Sequence, residues 1–220
     1  QDPPNAIAQP LNGHISFEGV DFIYPNTGIH AIKNFNLSVK RGEKIAIIGK
    51  TGSGKTTIAQ LLLRFYDPTK GVVRFDVKDV RTLELHSLRS QIGYVPQDVF
   101  LFSDTVTGNI LFGSDTKQEA VARKAAGFAS VDQEILQFSS GFDTLIGERG
   151  VTLSGGQKQR ISIARALSAN HEIVVFDDCL SAVDARTEKE IIGHLYAYLR
   201  NKTALIITHR IFTLFEFDRI

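Results

Sequence analysis

Gly49-Lys50-Thr51-Gly52-Ser53-Gly54-Lys55-Thr56 follows directly on the apolar run Ile45-Ala46-Ile47-Ile48. A G-x-x-x-x-G-K-T sequence at a strand-to-helix junction has the chemistry of a phosphate-binding loop. Its three glycines leave backbone N–H groups bare and able to curl around the oxygens of a polyphosphate. A helix beginning near Lys55 turns its unpaired N–H groups and positive dipole end toward the same anion. Lys55 adds a point charge for β- and γ-phosphates, and the Thr56 hydroxyl is placed to ligate the accompanying Mg²⁺. Thr51 and Ser53 in the loop, and Thr57 just after it, complete this candidate set. A plain glycine turn is the alternative. It is weakened by Ile58, Leu61, Leu62 and Phe65, which fall on one helical stripe immediately downstream.

Other residues could share that chemistry. Asp177-Asp178 ends the continuous apolar run Ile173-Val174-Val175-Phe176, a buried strand by its character. Carboxylates at the carboxyl end of such a strand sit where open α/β sheets bind ligands. Adjacent residues of an extended segment face opposite sides, so one carboxylate can hold hydrated Mg²⁺ with Thr56 while the other faces an attacking water. His209, after the apolar stretch 202–208, can hydrogen-bond a γ-phosphate or catalytic water, or it can be structural. Gln97, after Ile92-Gly93-Tyr94-Val95-Pro96, offers an amide oxygen to Mg²⁺ or a water, or it is a solvated loop residue.

Leu153-Ser154-Gly155-Gly156-Gln157 opens a helix with a candidate N-cap at Ser154 and bare glycine N–H groups, but no lysine completes a phosphate site. It reads either as half a site, for a phosphate brought by another molecule, or as a capped helix with a flexible lead-in. Tyr24 precedes Pro25 at a strand end, where it can stack on a base or serve as half-buried packing.

These residues need a scaffold. Alternation predicts strands at 14–18 and 34–39, with 72–75 as a third, which suggests a small antiparallel sheet. A short helical stretch carries Leu83, Leu85 and Leu88. From about 98 to 170 the pattern is helical and more polar, with helices over 117–126 and 157–169, the latter burying Ile161, Ala164 and Leu167. This segment is read as an inserted helical subdomain. After the loop Ser181-Ala182-Val183-Asp184, an amphipathic helix over 187–199 buries Ile191, Ile192, Leu195 and Leu199.

The 220 residues suffice for one α/β core with an inserted subdomain. A net charge of +1, from 25 basic and 24 acidic residues, gives no electrostatic case for nucleic acid or a polybasic membrane surface. The single cysteine, Cys179, excludes an internal disulfide framework. No apolar run reaches the length of a spanning helix. The chain holds no methionine and opens with the polar, proline-rich Gln1-Asp2-Pro3-Pro4, so it is read as a soluble segment of a longer polypeptide entered through a linker, residues 1–12.

In their order, these motifs resemble the nucleotide-binding domain of ATP-binding cassette (ABC) transporters over residues 13–220. The resemblance implies an α/β fold: a P-loop NTPase (RecA-like) core with a small antiparallel β subdomain and an inserted helical subdomain. By resemblance, Tyr24 stacks on adenine, 49–56 is the Walker A loop and Gln97 is the Q-loop glutamine. Ser154, Gly155, Gly156 and Gln157 belong to the signature motif, Asp177 is the Walker B aspartate, Asp184 the D-loop aspartate and His209 the H-loop histidine. Gly147-Glu148-Arg149-Gly150 is similar to the extra loop of exporter-type members.

The implied function is binding and hydrolysis of MgATP in a head-to-tail dimer, powering export. Asp178, His209 and Gln97 form the catalytic set, and Thr56, Gln97 and Asp177 the metal set. The implied partners are transmembrane segments of the same polypeptide and a second ABC nucleotide-binding domain, with no nucleic acid, at the cytoplasmic face of the cell's inner membrane. Two features depart from the pattern. Asp178 stands where the family carries its catalytic glutamate, so its own site is expected to be slow and its partner non-identical. The sequence also stops before the strands that usually close the domain. The rival readings are a soluble ABC-type ATPase of DNA repair or translation, and a nucleotide-dependent module with little turnover.

Overall fold

The computed structural model describes residues 2–147, 151–209 and 216–220. In chain order its strands and helices begin β1 (Ile15–Ile23), β2 (His30–Val39), β3 (Lys44–Ile48), α1 (Lys55–Leu62), β4 (Lys70–Phe75) and β5 (Lys78–Asp79). They continue α2 (Leu85–Arg89), β6 (Ile92–Val95), α3 (Val106–Ile110), α4 (Glu119–Phe128), α5 (Asp132–Leu136) and α6 (Gly155–Ser168). β7 (Ile173–Asp177), α7 (Ala185–Tyr198) and β8 (Thr203–Thr208) follow.

The strands form two four-stranded sheets, ordered β2-β1-β4-β5 and β3-β8-β7-β6. The first is antiparallel, with Phe17 of β1 opposite Leu37 of β2 on one side and Val73 of β4 on the other. β1 buries Ile15 and Phe17, then Val20 and Phe22. The change from odd to even positions falls at a register shift around Gly19, whose φ of +57° suits a glycine. An extra residue there keeps the apolar side chains on one face.

The second sheet is parallel, with Ile45 beside Leu205, Leu205 beside Val175 and Val175 beside Tyr94. Its central strands are apolar on both faces because both faces are covered. Ile173, Val175, Leu205 and Ile207 join the core under α1, α2 and the antiparallel sheet. Val174, Phe176, Ala204 and Ile206 point the other way, into a core shared with α3, α4, α6 and α7. Period-two alternation thus splits one sheet between two hydrophobic cores.

Between β6 and β7 the described chain is helical, and α4 and α6 bury Ala122, Ala125 and Ala126 against Ile161, Ala164 and Leu167. Small alanines let the two helices approach closely. The opening stretch is tied down: Ile7 N–H donates to Thr82 O at 2.9 Å, Ile7 O accepts from Glu84 N–H at 3.0 Å, and Leu11 is buried. At the other end Arg219 pairs in parallel with Ile45, extending the sheet beyond β3.

One expectation fails. α1 stops at Leu62, and Arg64 takes a left-handed φ of +52°, so Phe65 leaves the buried stripe and is 48% exposed. Its ring is covered instead by the Arg89 guanidinium, 4.9 Å from the centroid.

Candidate functional site

The P-loop connects β3 to α1. Gly54 takes φ +88°, and a Cβ there would lie 2.6 Å from the Ala31 carbonyl oxygen and 3.0 Å from Ile32 Cδ1. Only glycine fits this approach to β2. The Lys55 ammonium folds over the loop, donating to Gly49 O at 2.7 Å and Lys50 O at 2.9 Å. The cation therefore sits beside the same backbone that presents its N–H groups to an anion.

Thr56 is the second residue of α1, and its hydroxyl donates to Asp177 Oδ1 across 3.2 Å. Asp177 ends β7 and is 1% exposed. Its Oδ2 is buried with no hydrogen-bond partner among the described residues. Burial pushes this carboxyl above the ordinary carboxylate range; the Thr56 bond pulls the other way, and the neighbouring Asp178 charge raises it further. Tyr94 on the adjacent strand is shifted upward by burial and by the same carboxylate. A buried carboxylate oxygen lacking a partner, beside a hydroxyl, is the hard oxygen donor set a divalent cation such as Mg²⁺ takes.

Asp178 turns away from Asp177 for a reason different from simple strand alternation. β7 ends at Asp177, and Asp178 adopts a left-handed φ of +47° while its N–H donates to Ile207 O at 2.8 Å. The kink sends its carboxylate to His209, just past β8, where Nδ1 lies 2.9 Å from Oδ1 and 3.1 Å from Oδ2.

The carboxyl ends of the parallel strands open on a cleft of about 480 Å³. It is lined by P-loop residues Thr51 to Thr57, by Gln97, Asp177, Asp178 and His209, and on the far side by Tyr24, Ile29 and Ala31. Tyr24 both faces the cleft and packs. Its ring meets Phe22 at 4.9 Å and Tyr66 at 5.5 Å, nearly perpendicular to each.

The model of the ABC transporter family matches residues 32–181, about two thirds of the chain. This chain is a member of the ABC transporter family. It is 45% identical over 96% of its length to a probable multidrug resistance ABC transporter ATP-binding/permease protein of Bacillus subtilis. It is 44% identical over 94% of its length to an ATP-dependent lipid A-core flippase of Alkalilimnicola ehrlichii. A solved bacterial Atm1-family ABC exporter with ATP bound superposes at TM-score 0.89, with 40% identity over 96% of this chain and 37% of the other. The chain spans from 18% to 37% of the length of the first curated relatives it matches.

The remaining candidate residues of this ABC domain lie outside the cleft. Ser154 Oγ accepts from Gln157 N–H at 3.2 Å and Gln157 Oε1 accepts from Ser154 N–H at 2.9 Å, a reciprocal capping box at the start of α6. The Gln157 amide also donates to Glu134 Oε2 at 2.9 Å, and Arg160 grips both Glu134 oxygens at 2.5 and 3.0 Å. Gly155 and Gly156 lie against Ala182, and a Cβ on Gly156 would sit 3.0 Å from the Ala182 carbonyl. Asp184 caps α7, accepting from Arg186 N–H at 3.1 Å and Thr187 N–H at 3.0 Å, and these bonds, Thr187's foremost, hold its carboxyl below the usual range. Glu148, Arg149 and Gly150 of the exporter-like loop lie outside the described residues.

Sequence reasoning passed over Ile29 and Ala31, which line the cleft, and the Glu134–Arg160 pair that braces Gln157. Ile29 carried no signal in the sequence: it is one of several exposed apolar residues, and only its place beside the P-loop residues in the folded chain marks it. The partner of Arg160 lies on a separate helix, and nothing in the local pattern marks it.

Proposed function

We propose that the chain binds MgATP in this cleft and hydrolyses it as the motor domain of an ABC exporter. The observation that carries the reading is the convergence on one cleft of Lys55, Thr56, Gln97, Asp177, Asp178 and His209, which come from the ends of four different parallel strands. Lys55 and the loop N–H groups take the β- and γ-phosphates, while Tyr24 offers a ring to adenine. Thr56, Asp177 and the Gln97 amide oxygen would hold Mg²⁺, which when bound neutralises charge on the terminal phosphate oxygens. Water attacks the γ-phosphorus, the bond to the bridging oxygen breaks, and ADP and inorganic phosphate leave. Asp178 takes the proton of the attacking water, and His209 orients that carboxylate.

The N-terminus of α6 serves a nucleotide held by a second ABC domain arranged head to tail. Its capping box uses the Gln157 N–H, and Gly155 is exposed and Gly156 half-buried in the same first turn, which suits an anion brought to this helix end. A partner that keeps a glutamate at the position of Asp178 would gain from this α6 a complete, faster site. Transmembrane segments of the same polypeptide dock near Gln97 and Gly147, where Phe100 and Phe112 are more than half exposed. The likeness to a solved Atm1-family ABC exporter, and to a relative named as a multidrug resistance ABC transporter, supports the direction of transport. Phosphate release from MgATP by the chain, compared with a Thr56→Val variant, tests the reading: loss in the variant supports it, equal release contradicts it.

A further inference from the structure

The Tyr24 hydroxyl lies 2.8 Å from Thr57 Oγ1 and donates to Gln60 Oε1 at 2.9 Å. A phenol has one proton, so with that proton on Gln60 the Thr57 hydroxyl must donate to Tyr24. Both partners lie on α1, the helix whose first residues are Lys55 and Thr56. Among the described residues the ring also meets Phe22 and Tyr66, each nearly perpendicular to it, contacts to the ring that leave its hydroxyl tip to Gln60 and Thr57.

We infer that Gln60 is a positioning residue for the nucleobase: by gripping the Tyr24 hydroxyl, it holds the aromatic ring at a fixed distance and tilt from the phosphate loop. This rests on the proposal that the cleft binds a nucleoside triphosphate. α1 then sets both ends of the ligand, the phosphates through Lys55 at its first turn and the base through Gln60 at its second. Ile29, exposed and apolar, lies on the same wall as Tyr24 and offers the base a second surface. The site so built prefers a ligand with a planar base over a bare polyphosphate. Gln60 touches no ligand itself, and its effect is transmitted entirely through Tyr24.

The test is equilibrium binding of ATP and of inorganic tripolyphosphate, each with Mg²⁺, to the parent chain and to Gln60→Leu, Tyr24→Phe, the double variant and Gln60→Glu. One neutral hydrogen bond corresponds to about a 3- to 10-fold change. Gln60→Leu is expected to weaken ATP by about that factor and Tyr24→Phe, which also gives up the Thr57 bond, by at least as much, both leaving tripolyphosphate unchanged. The double variant should bind ATP no more weakly than Tyr24→Phe alone, because the bond is already absent. Gln60→Glu keeps an acceptor oxygen at the same reach and should retain ATP binding. Unchanged ATP affinity in Gln60→Leu, additive losses in the double variant, or a parallel loss of tripolyphosphate would each overturn the inference. If Gln60→Leu fails to fold, Tyr24→Phe must show the same loss confined to ATP, and equal loss of both ligands overturns it. A parent chain that binds tripolyphosphate but not ATP refutes the base platform alone, whereas one that binds neither refutes the nucleotide site itself.

Discussion

His209 Nδ1 sits between the two carboxylate oxygens of Asp178, 2.9 Å from one and 3.1 Å from the other. An aspartate is one methylene shorter than the glutamate usual at this position, and here its short reach is directed toward the histidine. A general base must come within about 2.6–3.2 Å of the water it activates, and a misplacement of about 1 Å can cost about a hundredfold in rate.

Asp178→Glu should therefore accelerate single-turnover hydrolysis of ATP by one to two orders of magnitude, on the order of 10- to 100-fold. Glutamate tolerates the left-handed backbone at this position less well than aspartate. The variant is expected to melt slightly lower while it hydrolyses faster. A parent site already as fast as the glutamate variant contradicts this account of Asp178.

Asp177 couples the site to stability. Its carboxyl is raised by burial, so between the ordinary carboxylate value and the raised one the folded chain keeps a proton that the unfolded chain has released. Stability from this group is complete below that window and is lost as pH rises through it. Asp177→Asn keeps an oxygen for Thr56 and removes the buried charge. Without nucleotide, its Tm at neutral pH should exceed that of the parent by about 2–4 °C for each kcal/mol recovered, and the gap should close on acidification. Mg²⁺ should no longer tighten nucleotide binding in the variant. Thermal melts across pH, with and without Mg²⁺, measure both effects.

The dimer proposal is best tested at Gly155. Aspartate at Gly156 would press a Cβ to 3.0 Å from the Ala182 carbonyl, so a failure there would mix steric damage with charge. A Cβ on Gly155 meets only the Ala182 side chain at 3.6 Å, an ordinary contact. An acidic residue in the first turn of α6 also suits the helix dipole, worth about 0.3–1 kcal/mol. Gly155→Asp should thus fold and bind MgATP as the parent does, yet remain monomeric in sedimentation runs where the parent associates in MgATP. Equal association of the two would exclude a partner's phosphates from this surface.

Cys179 follows the acidic pair and is buried, and burial pushes its thiol well above the ordinary range. The thiolate is the reactive form. A thiol reagent at pH 8 should leave the folded chain untouched and label it with the same denaturant midpoint that circular dichroism reports. Labelling well before that midpoint would show local opening at the end of β7.

Local chemistry was the legible part of this molecule. The P-loop, the apolar runs of β7 and β8 and the stripe of α7 declare themselves through spacing, because each is repeated over enough residues for the period to show. Ser154 and Gln157 stand three apart and close on each other in a capping box, a relation within one turn. Relations between distant segments were hidden. The left-handed turn at Asp178 is imposed where β7 ends against Ile207, and no residue type before it signals the change. Phe65 fits the helical stripe in sequence, but Arg64 ends α1 one turn early and Arg89, from α2, covers the ring. Tyr24 posed a choice between packing and stacking, and the structure shows one ring packed against Phe22 and Tyr66 that also lines the cleft.

The most direct measurement is calorimetric titration of MgATP into the parent chain and into Lys55→Ala. The ammonium is set over the loop by Gly49 and Lys50 carbonyls, and its removal forfeits charge-assisted hydrogen bonds of about 1.5–3 kcal/mol each. The account predicts saturable one-site binding to the parent and affinity weaker by about 10- to 100-fold in the variant, with the ligand-free variant still melting in one cooperative transition. Equal MgATP affinity in the two chains would contradict it.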